Sequence, residues 1–358
     1  MSSNLHFGNL SVSIFGESHG NGIGVVIDGL PGGEEIDFER VLDFMARRAP
    51  KKDGISTRRN EKDFPEIMSG YLNGKTTGTP LCAVIKNTDQ HSNDYNNISA
   101  VARPGHADYT GSIRYNRSND IRGGGHFSGR ITAPLVFAGA VCGQILERRG
   151  IYSGAHILSI GDIYDEKFNS VNVGKDELEA VKAKDFPLIN SDFEQAMRDK
   201  VKAASEKLDS IGGRIECAVV GLDAGIGSPM FDGIENRISQ AVFGIPAVKG
   251  LEFGAGFGFA DMFGSSANDP FTTDGIKIKS VTNNNGGILG GISSGMPIIF
   301  TAAIKPTPSI AQPQQTVDYI KMENTVLEIK GRHDACIVPR AVPVVEAAAN
   351  IAILSFLI

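Results

Sequence analysis

The sequence predicts a mixed fold of helices and strands, α/β or α+β, in one domain covering residues 1–358. Three observations predict it. Segments of helical and strand periodicity alternate along the chain, joined by long glycine-rich connections. No Pro/Ser-rich linker, low-complexity tract or short repeat divides it, although 358 residues at about 150 per domain would allow two. A hydrophobic content of 41% supplies a sizeable core, and 43 glycines without a three-residue period exclude collagen and disorder.

The elements follow in order. Phe38, Val41, Leu42 and Met45 recur at helical spacing behind Asp37, an N-cap, and predict a helix ending near Arg47 and Arg48 before Pro50. The run 131–149 is apolar or small on most faces, basic in its last turn and followed by Gly150, as a buried helix with a glycine C-cap should be. The region 162–193 is the most polar and reads as a surface insertion. Ser191 with Glu194 forms a capping-box pattern that opens a polar helix to about Leu208. Alternation of Ile215, Cys217 and Val219 predicts a strand over 214–222. Asp232 with Glu235 resembles a second capping box, opening a helix through about Val242. The last helix is expected over 342–358 with Pro343 in its first turn, and its apolar end must be packed or form a subunit contact.

Composition narrows the function. With 35 basic and 41 acidic residues the net charge is −6, so a general binder of nucleic acid or membrane surface is excluded and any anion site is local. The uncharged stretch 280–304 is too rich in Gly, Ser, Asn and Thr to span a membrane, and the N-terminus shows no export signal, which leads to a cytoplasmic expectation. Cys82, Cys142, Cys217 and Cys336 are scattered, so neither a structural metal nor a disulfide framework is expected.

Four segments carry chemistry that a core does not need. In Gly16-Glu17-Ser18-His19-Gly20 a carboxylate, a hydroxyl and an imidazole sit between glycines. In the second, Arg103, His106 and Asp108 surround the Pro104-Gly105 turn. The third, Arg122-Gly123-Gly124-Gly125-His126-Phe127-Ser128-Gly129-Arg130, precedes the buried helix; consecutive glycines let backbone approach an anion while arginines supply bidentate donors. It is neither a P-loop nor a dinucleotide fingerprint. The fourth is split into the glycine-rich 286–295, the run Lys305-Pro306-Thr307-Pro308-Ser309, and Gly331-Arg332-His333-Asp334. Its glycines suit either tight turns between strands or a flat ligand lying on backbone. Arg47, Arg48, Arg103, Arg122, Arg130, Lys305 and Arg332 on an acidic chain point to a focused cationic pocket for a ligand with several negative charges.

These motifs, spanning positions 16 to 334 in the same order and approximate spacing, resemble the chorismate synthase family. The resemblance implies an α+β sandwich with helices enclosed between antiparallel sheets, assembled as a homotetramer. It implies a carbon–oxygen lyase of aromatic amino acid biosynthesis that eliminates phosphate and the C6 hydrogen from 5-enolpyruvylshikimate 3-phosphate in an anti-1,4 sense, giving chorismate. The cofactor implied is reduced FMN, used without net redox change, with NADPH as a conceivable reductant. Carried over by motif, His106 would serve the reduced flavin near N1, His19 the leaving phosphate, and Asp334 proton removal around N5. Ser18, Arg48, Arg103, Arg130 and Arg332 would face the substrate. His126, Phe127, Ser128, Ala247, Gly290, Lys305, Pro306, Thr307, Pro308, Ser309 and Arg332 would contact the flavin. Two departures stand out: His126-Phe127 occupies a place where many members have Arg-Ser, and 50–54 lacks a family arginine that Lys51, Lys52, Arg58 or Arg59 would have to replace. The rival readings are a flavin-dependent oxidoreductase acting on a polyanion and a non-enzymatic anion binder.

Overall fold

The computed structural model describes residues 3–50, 63–88, 100–329 and 334–358. Its N-terminal part builds an antiparallel sheet from β1 (Asn4–Phe7), β2 (Leu10–Gly16) and β3 (Gly22–Asp28). Helix α1 (Phe38–Ala46) follows, and the Asp37 carboxylate accepts from the backbone N–H groups of Glu39 and Arg40 as its N-cap role requires. Then come β4 (Pro65–Ser69), the ribbon β5 (Tyr71–Leu72) with β6 (Lys75–Thr76), and β7 (Leu81–Lys86), completing a sheet of order β1-β2-β3-β7-β4.

After α2 (Asp108–Arg114) and α3 (Thr132–Arg148) the chain enters a second antiparallel sheet. In chain order its surroundings are β8 (Tyr152–Ile160), β9 (Ile163–Tyr164), α4 (Lys175–Lys182), α5 (Glu194–Glu206), β10 (Gly213–Val220), α6 (Ile234–Phe243) and β11 (Val248–Phe253). A short helix α7 (Gly264–Ala267) precedes two ribbons, β12 (Phe271–Thr273) with β13 (Ile278–Ser280) and β14 (Ile288–Leu289) with β15 (Ile292–Ser293). The strand β16 (Ile298–Ile304), the ribbon β17 (Gln314–Asp318) with β18 (Glu323–Leu327), and α8 (Val338–Leu354) close the chain. The second sheet has order β11-β16-β10-β8-β9.

The architecture is the expected α+β sandwich. Helices α3 and α8 pack against each other between the sheets, α3 on β2, β3 and β7 and α8 on β8 and β10. Small residues allow the close approach: a Cβ at Gly139 of α3 would lie 2.2 Å from the Ala347 Cβ of α8. The stretch Gly129–Arg148 is long and apolar enough to cross a membrane by composition, and it is buried inside the sandwich. The apolar C-terminal end also packs on its own chain: Arg237 lies 3.9 Å from the Phe356 ring centroid and donates to the Ser355 carbonyl at 3.0 Å.

Several sequence expectations need correction. Asn190, rather than Ser191, caps the turn before α5, because its side chain accepts from the Asp192 N–H. Gly233 occupies the N-cap of α6 and Asn236 accepts from its N–H, while Asp232 is drawn off by Arg237. Helix α8 starts four residues before the predicted position, with Pro339 in its first turn and Pro343 inside it. The polar region 162–193 is more than a surface insertion: Phe168, Val173, Leu178 and Val181 bury against Ala218 and Ile299 on the outer face of the second sheet. The strand β10 is therefore covered on both faces, which a period-two reading of one face does not reveal.

Candidate functional site

A cavity of about 840 Å³ opens where β1, the loop before α2, the glycine loop before α3, the start of β11, the segment after β16 and the start of α8 converge. The glycine loop owes its shape to three successive left-handed residues, Gly123, Gly124 and Gly125, at φ 60°, 86° and 53°. Side chains there would also collide: a Cβ on Gly123 would lie 2.4 Å from His19 Cδ2, and one on Gly124 would lie 3.3 Å from His106 Nε2. The loop thus brings His19 and His106 to adjacent glycines although they are distant in sequence.

Two buried charge clusters line the cavity. Arg48 and Arg130 share the single carboxylate of Asp63, Arg48 through Nε at 3.1 Å and Nη2, and Arg130 through Nη1. All three side chains are 3% exposed. Burial alone would raise the Asp63 carboxyl, but the charges of Arg48 and Arg130 outweigh it and hold the group below its ordinary value. Among the described residues, two guanidinium groups that share Asp63 converge on the cavity wall, and such planar donors suit a small anion. Asn87 accepts from Arg130 Nε at 3.1 Å and donates to the carbonyls of Glu17 and Gly20, tying the His19 turn to this cluster.

The second cluster is Arg103 with Asp108. Arg103 donates from Nε and Nη2 to both carboxylate oxygens at 2.7 Å, and from Nη1 to Ser309 Oγ at 3.2 Å. His106 Nδ1 lies 2.6 Å from the same carboxylate. Burial opposes ionisation of Asp108, yet its bonds to Arg103 and His106 depress the carboxyl far below the usual range.

The cavity brings together many of the candidates named from sequence: Arg48, Arg103, His106, His126, Phe127, Ser128, Arg130, Ala247, Lys305, Thr307, Pro308, Ser309 and Asp334 all line it. Burial, together with the nearby charge of Lys249, lowers the Lys305 pKa. His19 and Ser18 lie behind the loop against Gly123, and the Ser18 hydroxyl is buried with no hydrogen-bond partner among the described residues. Pro306 and Gly290 are not in the cavity lining. Gly290 belongs to the turn between β14 and β15, and its neighbour Gly291 is packed against the Ser228 carbonyl. Arg332, and with it Lys51, Lys52, Arg58 and Arg59, lies outside the described residues.

Two of the counted arginines serve elsewhere. Arg47 pairs with the buried Glu346 at 2.8 Å, and Arg122 forks onto Asp120 on the surface. Sequence reasoning missed Asp63, Asn87 and Arg340. Arg340 donates to Asp334 at 2.6 Å and to the Arg48 carbonyl at 3.0 Å, so it joins two predicted site residues. None of the three sits in a glycine-rich motif, and only the fold shows their proximity.

The unusual His126-Phe127 pair has a structural account. The Gly16 carbonyl can only accept, so His126 Nδ1 donates to it at 2.7 Å, while Nε2 meets Ser3 Oγ. Phe127 fills the space above Gly111, where a Cβ would lie 2.4 Å from its ring, and stands 6.2 Å from the Tyr115 ring. These side chains anchor the glycine loop to β2 and α2.

The fold and site define an α+β sandwich with a cavity lined by arginines and walled by a left-handed glycine loop. The family model for chorismate synthase matches residues 10–358. The chain is 44% identical over 342 residues to the chorismate synthase of Thermococcus kodakarensis, covering 95% of this chain and 93% of that one. It is 45% identical over 336 residues to that of Dehalococcoides mccartyi, covering 94% and 91%. A crystal structure of chorismate synthase matches with a TM-score of 0.77 at 29% identity, covering 98% of this chain and 92% of the other. The chain belongs to the chorismate synthase family.

Proposed function

We propose that this protein is a carbon–oxygen lyase that converts 5-enolpyruvylshikimate 3-phosphate to chorismate with reduced FMN and no net redox change. The observation that carries the reading is the convergence of Arg48, Arg103, Arg130 and His106 on one cavity. A substrate with two carboxylates and a phosphate matches several cationic groups better than any monoanion would.

The lining fits a flavin as well. A volume of about 840 Å³ is within the usual range for sites holding sizeable ligands. The Thr307 hydroxyl is buried without a hydrogen-bond partner among the described residues, and Lys305, Ser128 and Ser309 add polar groups around it. Ala247 holds a left-handed φ of 75°, which brings backbone to the cavity wall. These residues would hold the FMN. When bound and reduced, FMN would supply the electron density that lets phosphate leave in a 1,4-elimination whose remote C6–H is poorly acidic. Arg48, Arg103 and Arg130 orient the anions, His106 Nε2 faces the cavity and is open to proton exchange there, His19 delivers a proton to the departing phosphate, and Asp334 would assist proton removal around the flavin N5 position.

Two further readings go with this. The exposed Phe257, Phe263, Phe271 and Ile276 on the 255–281 face support a homotetrameric assembly that covers them. A cytoplasmic enzyme acting on soluble metabolites, with NADPH as a reductant it either uses itself or receives through another protein, is the accompanying expectation. The experiment is an anaerobic assay of phosphate and chorismate formation with pre-reduced FMN, with and without NADPH. Many turnovers per flavin without added reductant are expected; stoichiometric consumption of reductant would reject the lyase in favour of an oxidoreductase.

A further inference from the structure

Asp108 opens α2 and is 4% exposed. Its Oδ2 accepts from the Arg103 backbone N–H at 3.0 Å and from Arg103 Nε at 2.7 Å, and its Oδ1 accepts from Arg103 Nη2 at 2.7 Å. The same Oδ1 lies 2.6 Å from His106 Nδ1. A carboxylate in this setting is ionised and has no proton to give. Arg103 Nη2, 3.1 Å from Nδ1, has no lone pair to accept with and already donates to Oδ1 at 2.7 Å. A short contact between Nδ1 and an ionised oxygen therefore needs the proton on Nδ1. The ring's other nitrogen, Nε2, faces Gly124 across the cavity wall and makes no hydrogen bond to any described residue.

We propose that Asp108 is a positioning residue that fixes the tautomer and orientation of His106, keeping the proton on Nδ1 and reserving Nε2 for exchange with whatever occupies the cavity. Its fork with Arg103 sets the turn 103–108, and the backbone bond from His106 N–H to the Arg103 carbonyl at 3.1 Å holds the ring's root in place. One carboxylate thus aligns an anion-binding arginine and a proton-handling histidine together. The consequence for catalysis rests on the reading of His106 given above; the tautomer does not.

The test uses the full-length protein labelled with ¹⁵N-histidine, its seven histidines resolved by long-range ¹H–¹⁵N correlation and His106 assigned by loss of its signals in His106→Gln. Neutral His106 is expected as the Nδ1-protonated tautomer, and Asp108→Asn is expected to shift it toward Nε2–H. A wild-type Nε2–H tautomer overturns the proposal, and that measurement needs no variant of Asp108 to fold. Anaerobic turnover with reduced FMN gives the second readout: Asp108→Asn should lower kcat by about 10²-fold or more, with a smaller change in KM, and Asp108→Glu should recover part of kcat. A raised KM with full kcat would mean that Asp108 serves only Arg103, and would overturn the positioning role. A fully active His106→Gln would overturn the functional reading itself, whereas an inactive His106→Gln beside a fully active Asp108→Asn overturns this inference alone.

Discussion

At the scale of single residues, the site is a set of buried charges held in fixed pairs around one cavity. Asp63 stands between Arg48 and Arg130, so Asp63→Asn removes a carboxylate that two buried guanidinium groups share; a loss of about 3–5 kcal/mol of stability is expected, read by denaturant unfolding. Both Asp63 and Asp108 have folded pKa values depressed below the ordinary carboxylate value near 3.9. Such groups contribute stability that is complete above that unfolded value and is lost as pH falls through the folded one. The melting temperature should therefore hold from neutral pH to about pH 5 and fall steadily below about pH 4. Substituting lysine for Arg103 removes the fork onto Asp108, and a weaker substrate dissociation constant is expected; an unchanged one would remove Arg103 from the binding set. Turnover should fall about 10²-fold or more in His106→Ala and in His19→Ala while far-UV circular dichroism stays that of the wild type.

At the scale of elements, glycines decide where segments meet. In α3, Gly139→Ala would thrust a methyl into Ala347 of α8, and since the obstacle is another backbone-rooted methyl, relief requires the helices to part. A destabilisation of about 1–3 kcal/mol, seen as a lowered melting temperature, is expected. Helical and strand periods and the Asp37 cap were readable locally, because hydrogen bonding within a turn depends on adjacent residues alone. The caps at Ser191 and Asp232 were misread for the same kind of reason in reverse. Asn190 lies one residue farther from the helix than Ser191, and Arg237, five positions on, claims Asp232, so several equivalent side chains compete and geometry selects among them. The start of α8 shifted because a proline is tolerated in a buried helix when neighbours pack around it, which a propensity argument counts against.

At the scale of the whole molecule, the exposed aromatic face over 255–281 has a consequence for assembly. Paired charged substitutions, Phe257→Glu with Phe263→Glu, should lower the molar mass measured by multi-angle light scattering from the proposed tetramer to smaller species, while a wild-type monomer would reject the tetramer outright. Motifs at 103–110 and 122–130 were enough to name Arg103, His106, His126, Phe127, Ser128 and Arg130 on the cavity wall, since glycine runs beside arginine and histidine are costly anywhere but at a site. Periodicity likewise determined that helices and strands alternate around a large core. What only the tertiary structure decided is which charges face which. Arg47 and Arg48 are neighbours in sequence, yet one is directed to Glu346 in the core and the other to Asp63 at the cavity, because consecutive residues at the end of a helix point about 100° apart. The choice of partner for a buried cation is a long-range matter of folded geometry, and no local pattern of residues encodes it.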